Sequence, residues 1–388
     1  MKQLNVALAA AVAALSFGMA SQASAADVQI YGRIDAGLVY EHTDPGVGDA
    51  VDSFTLDSGV GTSSRFGLRG SEDLGNGYKV KFVLENGYST DSGALKTDNT
   101  IFDREATLQL VGPFGTISAG RSAILGTDGG SFNLLGGIDP FGTGMGAIGN
   151  QGIVLAKIDS SRRDNMITYR SPEMAGFQVT AAYSMGKNDY ENKGGSDRYM
   201  GIGATYNAGA LSTVLLYETM NEGSISDFNE DPVTRRKDQD DMWRVTVGGN
   251  YDFGFMTVYA AAHCFGNAND LSTTGWEGDG METKLFAGSM PDAFDELEGY
   301  SGILGADAPL AGGKVLAAVG ALKAETDELE ADKLKATAWF AGLGYQYNLS
   351  KSTRVYTGIG YTASEYKYQG DKVKPDSFTT VAGMSYYF

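Results

Sequence analysis

The chain has 388 residues, with 48 Asp and Glu against 30 Lys and Arg, for a formal net charge of −18. That sign disfavours a nucleic-acid partner, which is gathered by excess Lys and Arg. Cys264 is the only cysteine, so an intrachain disulfide and a cysteine-based metal site are excluded.

The first 25 residues form a short n-region with Lys2, an apolar stretch from Val6 to Ala20, and the small-residue site Ala23-Ser24-Ala25. This is the layout of a cleaved secretory signal peptide, and its apolar stretch is shorter than the ~20 residues of a spanning helix. The expected mature domain is 26–388, which is 388 less 25, or 363 residues, and losing Lys2 takes the charge from −18 to −19. After residue 25 no run of eighteen apolar residues occurs, which argues against a helical membrane protein but not against strands that alternate. The 54 Gly, about twice the usual share, with 21 Tyr and 18 Phe, suit close-packed strands flanked by aromatic girdles.

Period two is the test. In the segment Val28 to Tyr40, even positions carry Val28, Ile30, Ile34, Leu38 and Tyr40, while odd positions carry Gln29, Arg33 and Asp35. Ser64, Phe66 and Leu68 then oppose Arg65 and Arg69, and Tyr78, Val80, Phe82 and Leu84 oppose Lys79, Lys81 and Glu85. The last segment repeats the pattern, with Phe378, Ala382, Met384, Tyr386 and Phe388 on one face. Short turns are expected at 73–77, 112–115, 172–176, 207–209, 252–254 and 348–352. Long polar or Gly-rich stretches lie at 41–59, 89–102, 123–161, 187–197, 221–241, 265–296, 323–335 and 365–374. Asp292 to Glu298 reads as loop-like or briefly helical.

A soluble sandwich would also alternate, with its apolar face turned inward. Charges recurring in mid-strand, and connections alternating short and long, favour the inverted arrangement of an outer-membrane barrel. The expected fold is therefore all-β: a closed antiparallel transmembrane β-barrel of about sixteen strands. Closure is obligatory because lipid satisfies no backbone groups.

The series of short stretches along the chain resembles the general trimeric porins of Gram-negative outer membranes. The stretches are Val28-Gln29-Ile30-Tyr31-Gly32-Arg33, Ser64-Arg65-Phe66-Gly67-Leu68-Arg69-Gly70 continuing to Gly77, Val111-Gly112-Pro113-Phe114-Gly115-Thr116 with Ala119-Gly120-Arg121, Arg163 to Pro172, Tyr345 to Thr353, and Tyr386-Tyr387-Phe388. The resemblance implies a homotrimer whose long third loop, about 122–159, folds into the lumen. Asp128 and Asp139 would be its acidic members, although the acidic tip usual in the family is not evident here. The facing basic wall would hold Arg33, Arg65 and Arg121, with Arg69 on the same polar face, and Arg104 and Arg162 or Arg163 as further members. A midplane arginine facing lipid costs ~2–4 kcal/mol, so these side chains should point inward. Arg104 shares parity with Ala106, Leu108 and Leu110, so it needs a bulge, a place above the membrane or a protomer contact.

The function so implied is passive diffusion of ions and small hydrophilic solutes through a water-filled pore, with no cofactor and no metal. Phe388 resembles the signal read by the barrel-assembly machinery, and outer-membrane lipids are the other implied partner. The net charge leans the expected ion preference toward cations, while an arginine wall would oppose it. A substrate-selective channel, with Tyr31, Tyr183 or Tyr217 as steps of a sugar path, is the alternative, ahead of a non-conducting adhesive barrel. An enzyme is disfavoured: a serine hydrolase needs a histidine base, and neither His42 nor His263 lies near a nucleophile motif.

Overall fold

The computed structural model describes residues 27–127, 129–142, 145, 148, 162–186, 198–220, 241–268, 271, 297–326 and 333–388. The expected signal peptide and Asp128 lie outside these. The strands, in chain order, are β1 (Asp27–Asp44), β2 (Val51–Ser58), β3 (Arg65–Gly75), β4 (Tyr78–Gly87), β5 (Glu105–Gly112), β6 (Gly115–Ala123), β7 (Arg162–Arg170), β8 (Phe177–Ser184), β9 (Tyr199–Ala208), β10 (Leu211–Met220), β11 (Met242–Asp252), β12 (Thr257–Ala268), β13 (Leu297–Leu310), β14 (Gly313–Thr326), β15 (Lys335–Asn348), β16 (Thr353–Tyr368), β17 (Asp371–Val373) and β18 (Asp376–Tyr387).

All pairings are antiparallel between neighbours, and β1 pairs with β18 from Arg33↔Tyr387 to Asp44↔Asp376, so the sheet closes on itself. The 18 segments make sixteen staves. The upper half of β1 pairs with β2 and its lower half with β3, so β2 and β3 are one stave broken at 59–64. Likewise β17 and β18 both lie against β16.

Outward side chains on alternate positions form the apolar band. Leu38, Leu108, Val247, Leu304, Val319, Leu343 and Ile359 are all exposed, as a bilayer-facing wall requires. Aromatic pairs mark the short-turn rim: Tyr78–Phe114 at 6.2 Å, Phe177–Tyr206 at 4.2 Å and Tyr251–Phe253 at 4.7 Å between ring centres. Trp339–Tyr361 at 5.3 Å, with Tyr300 and Phe378 exposed nearby, marks the other rim. The first short turn needs Gly75, Asn76 and Gly77 in succession at φ of 80°, 53° and 81°, a left-handed run that only Gly and Asn adopt cheaply.

Several stretches expected as long loops are strand at their ends. β2 lies inside 41–59, β12 reaches Ala268, β14 reaches Thr326, and β16 with β17 crosses most of 365–374. Beyond the bilayer both faces of a hairpin meet water, so the strands keep pairing while the apolar alternation that betrays them disappears. His42 Nδ1 and the Tyr40 hydroxyl, for instance, both bond Asp52 Oδ1 across β1 and β2, at 2.9 and 2.8 Å. Leu297 and Glu298 open β13 rather than a helix.

The core is displaced from where a soluble protein keeps it. It lies between the inner wall and the segment after β6, whose Leu125, Phe132, Leu135, Ile138, Phe141, Met145 and Ile148 are all buried. The third loop therefore folds into the lumen and lies along the wall.

Candidate functional site

The wall strands are cut away where this loop passes. A Cβ built on Gly201 would meet Tyr199 and Leu125, on Gly203 Leu134, on Gly248 Ile138, on Gly305 Pro140, on Gly342 the Ile148 carbonyl at 2.1 Å, and on Gly358 the Ile148 side chain at 2.1 Å. Inward glycines on β9, β11, β13, β15 and β16 thus form a track that lets apolar loop side chains seat against the backbone. Both ends of the track are pinned. At the near end, Gly126 N donates to Glu218 Oε1 at 2.8 Å, Tyr199 Oη donates to the same oxygen at 2.7 Å and accepts from Leu125 N at 2.9 Å, and Arg244 Nη2 holds Glu218 Oε2 at 2.5 Å. At the far end, Met145 N donates to the carbonyl of Val60, in the break between β2 and β3, at 3.0 Å. That break is held by Asp35, whose Oδ1 accepts from Gly61 N at 2.9 Å and from the Tyr356 hydroxyl at 2.8 Å, while Oδ2 accepts from Ser385.

On the facing wall the sequence-predicted arginines divide. Arg33, Arg104 and Arg162 all lie within electrostatic range of Arg65. Arg65 Nη1 reaches Glu85 Oε1 at 3.4 Å, Arg104 Nε reaches the same oxygen at 2.7 Å, and Tyr31 donates to Glu85 Oε2 at 3.0 Å. Arg33 donates to Thr62 at 2.5 Å and lies over the Tyr387 ring at 5.2 Å. Arg104 resolves its parity conflict by preceding β5: outside the pleat, it is free to turn toward Glu85. Loop residue Gly129 lies beside this group, since its Cβ would stand 3.6 Å from Arg162 and 3.8 Å from Arg104.

The remaining candidates stand apart. Arg69 sits toward the short-turn rim, bonded to Gln29 at 2.9 Å and stacked over Tyr31 at 4.8 Å. Arg121 is in register with Ala106, on the face of Leu108, and pairs with Asp164 Oδ1 at 2.5 Å and the Asp103 carbonyl at 2.7 Å. Arg163 is buried against Met220; a bulge in β7, with Asn165 at φ 51°, puts it and Met166 both inside. Asp139 is only 2 % exposed, accepts from Phe141 N at 2.7 Å, and lies within electrostatic range of Tyr259 on β12, so it closes its own turn against the wall. Phe388 pairs its backbone with Gly32 in both directions, at 3.0 and 3.1 Å, and its ring is half exposed beside Tyr386. Of the three tyrosines considered for a sugar path, Tyr183 and Tyr217 are exposed on the outer face, and Tyr31 alone stands on the inner one.

Glu85, Glu105, Tyr199, Glu218, Arg244 and Arg170 were not singled out from sequence. Glu105 accepts from loop residue Ser131 N at 3.2 Å, and Arg170 donates to the Ser131 carbonyl at 3.2 Å while covering Phe132 at 4.8 Å. The available signal was parity: Arg244 and Thr246 alternate with Trp243, Val245 and Val247. Beside Glu218 the signal is blurred, because Leu216 and Met220 share its inward face and serve the core beneath the loop.

The result is a closed barrel with a lipid-facing apolar exterior, a basic inner wall and a loop seated on the opposite wall. Known proteins of this build agree. The sequence family described as Gram-negative porin matches residues 7–367. An outer-membrane porin of Bordetella pertussis is 31 % identical, over 90 % of this chain and 92 % of its own. Among solved structures, the anion-selective porin from Comamonas acidovorans superposes with a TM-score of 0.68 at 23 % identity, over 94 % of this chain and 100 % of its own. OmpT of Vibrio cholerae, described in trimer form, does so with a TM-score of 0.61 at 17 % identity, over 94 % and 100 %. The chain belongs to the Gram-negative porin family: it is an outer-membrane channel, not an enzyme, through which small hydrophilic solutes pass by diffusion.

Proposed function

We propose that this channel prefers anions, and that the group Arg33, Arg65, Arg104 and Arg162 sets the preference. The observation that carries the reading is their convergence on one wall, around Glu85, while Asp139 is buried against the opposite wall. Among the described residues, Arg33, Arg65, Arg104 and Arg162 gather around the single carboxylate that Arg65 and Arg104 share, Glu85, and leave this level positive. There the local field governs passage more than the acidic total does. This reverses the lean toward cations that net charge alone suggests. Opposed basic wall and loop also create a transverse field that favours polar solutes over apolar ones.

Reversal potential in a KCl gradient across a planar bilayer is the test. The parent should reverse on the chloride side, and Arg65→Ala should move the reversal toward potassium while leaving the folded barrel intact. A parent that reverses on the potassium side sinks the proposal. Conductance blocked by one particular solute would favour the substrate-selective alternative.

Assembly is part of the same reading: three copies form the working unit, as described for the similar OmpT, and the exposed Phe388 ring is what the barrel-assembly machinery contacts. Chemical cross-linking that stops at three copies supports it. A single-copy mass in a mild detergent overturns it.

A further inference from the structure

On the inner wall, the seam of the barrel carries an aromatic group on the short-turn side of Asp35. Asp35, Tyr356 and Ser385 meet inside the barrel. Parity therefore turns the residues two positions nearer the short-turn rim to the same lumen face: Arg33 of β1, Arg354 of β16 and Tyr387 of β18. Arg33 stands opposite Tyr387, and Arg354 stands opposite Ser385 on the other side of β18. Both guanidiniums lie over the Tyr387 ring, Arg33 at 5.2 Å and Arg354 at 5.9 Å from its centre. All three side chains are half-buried. The motif recurs on the next strand, where Arg69 of β3 lies 4.8 Å over Tyr31 of β1.

Neutral acceptors hold the two seam arginines in place. Arg33 donates to Thr62 Oγ1 at 2.5 Å, and Arg354 Nε donates to Asn348 Oδ1 at 3.1 Å. Among the described residues, neither guanidinium makes an ion pair. The carboxylates near them are engaged elsewhere: Asp35 accepts from Gly61, Tyr356 and Ser385, and the chain terminus at Phe388 accepts from Gly32 N at 3.0 Å. Farther along the same face, Asp307 pairs with Lys314 and Asp73 with Lys79.

A guanidinium lying over a tyrosine ring keeps a second flat face, and most of its five N–H donors remain for a solute. A planar aromatic acid uses both at once, its ring against the flat face and its carboxylate on the N–H fork. Chloride and aliphatic acids can use the donors alone. We propose that Tyr387, with Arg33 and Arg354, is a recognition station for planar aromatic carboxylates on their way through the pore. The proposal rests on the reading of the chain as an anion-accepting channel, and it names a solute class for that channel.

The test titrates benzoate and cyclohexanecarboxylate, alike in charge and close in size, against the potassium chloride current of the channel in a planar bilayer. Benzoate should halve the current at a concentration about threefold lower or better, the scale of one exposed cation–π contact. In Tyr387→Leu, and separately in Arg354→Gln, that ratio should fall below threefold, with the current before addition reporting that the barrel has folded. A parent ratio below threefold, a comparison needing no variant, would overturn the proposal. So would a ratio that stays at the parental value in either variant, since the ring would then be recognised elsewhere. Because both probes are monoanions, a parent that reverses on the potassium side would sink the ion-preference reading and still leave this ratio to decide the station.

Discussion

Glu218 and Arg244 are 0 % and 3 % exposed, so each charge is stable inside the barrel only because the other is present. Together with Tyr199 they hold the two backbone amides that begin the third loop. Glu218→Gln leaves Arg244 buried without its counter-charge, a loss worth about 3–5 kcal/mol if nothing moves. Releasing the loop at Leu125 and Gly126 is the cheaper response. We therefore expect Glu218→Gln to give flickering single-channel currents where the parent is quiet, and the double variant with Arg244→Met to flicker less. A quiet record for the single variant would show that the loop is held by its apolar contacts alone. Arg65 answers to a different measurement, the reversal potential, because the role proposed for it is in the pore and it takes no part in this anchor.

The third loop as an element depends on what the wall lacks. Its path from β9 around to β16 follows inward glycines, and its apolar side chains occupy the space that Cβ atoms would fill. Adding bulk to the wall should push the loop toward the lumen. Gly342→Val places carbon on the Ile148 carbonyl, and overpacking of this kind typically costs 1–3 kcal/mol. The expected outcome is a folded barrel with reduced conductance. An increase would mean that the loop detaches outright instead of shifting inward. The counter-test is Gly302→Val on β13, whose nearest neighbour to a Cβ is at 3.5 Å and which lies on the outer face, so conductance should stay at the parental value.

At the scale of the whole molecule, the seam between β1 and β18 ties closure of the barrel to the position of the loop. Asp35, at 0 % exposure, bonds Tyr356 on β16, Ser385 on β18 and Gly61 in the broken stave. The same break offers the Val60 carbonyl to Met145. Asp35→Ala takes the acceptor from the Tyr356 and Ser385 hydroxyls, each worth about 1–3 kcal/mol when buried and unmet, while the Gly61 amide keeps its bond to the Tyr356 oxygen at 2.8 Å. Its thermal unfolding should occur several degrees below that of the parent, and its conductance should become heterogeneous. Asp35→Asn, which keeps one acceptor oxygen, should fall between the two. Unfolding unchanged in Asp35→Ala would show that main-chain pairing from Arg33↔Tyr387 to Asp44↔Asp376 closes the barrel unaided.

Much of this architecture is written in the chain. Alternation such as Ile30, Ile34 and Leu38 against Arg33 and Asp35 is a local property, because neighbouring side chains on a strand must face opposite solvents. It is enough to say that the barrel is inverted, that the strands number sixteen, and that Arg33 and Arg65 point inward. Alternation vanishes where one environment meets both faces. This hid the hairpin extensions above the bilayer and also Glu218, whose inward neighbours pack under the loop. Parity also misplaces residues just outside a strand or past a bulge, as with Arg104 and Arg163. Which arginines converge, and that Asp139 turns to the wall, depend on residues distant in sequence: Glu85 with Arg104, Gly126 with Glu218 and Arg244, Met145 with Val60. Only closing the sheet and laying the loop inside it brings those groups together. The sequence by itself thus determined the barrel and the side each strand residue faces, and the tertiary structure decided which inward charges meet.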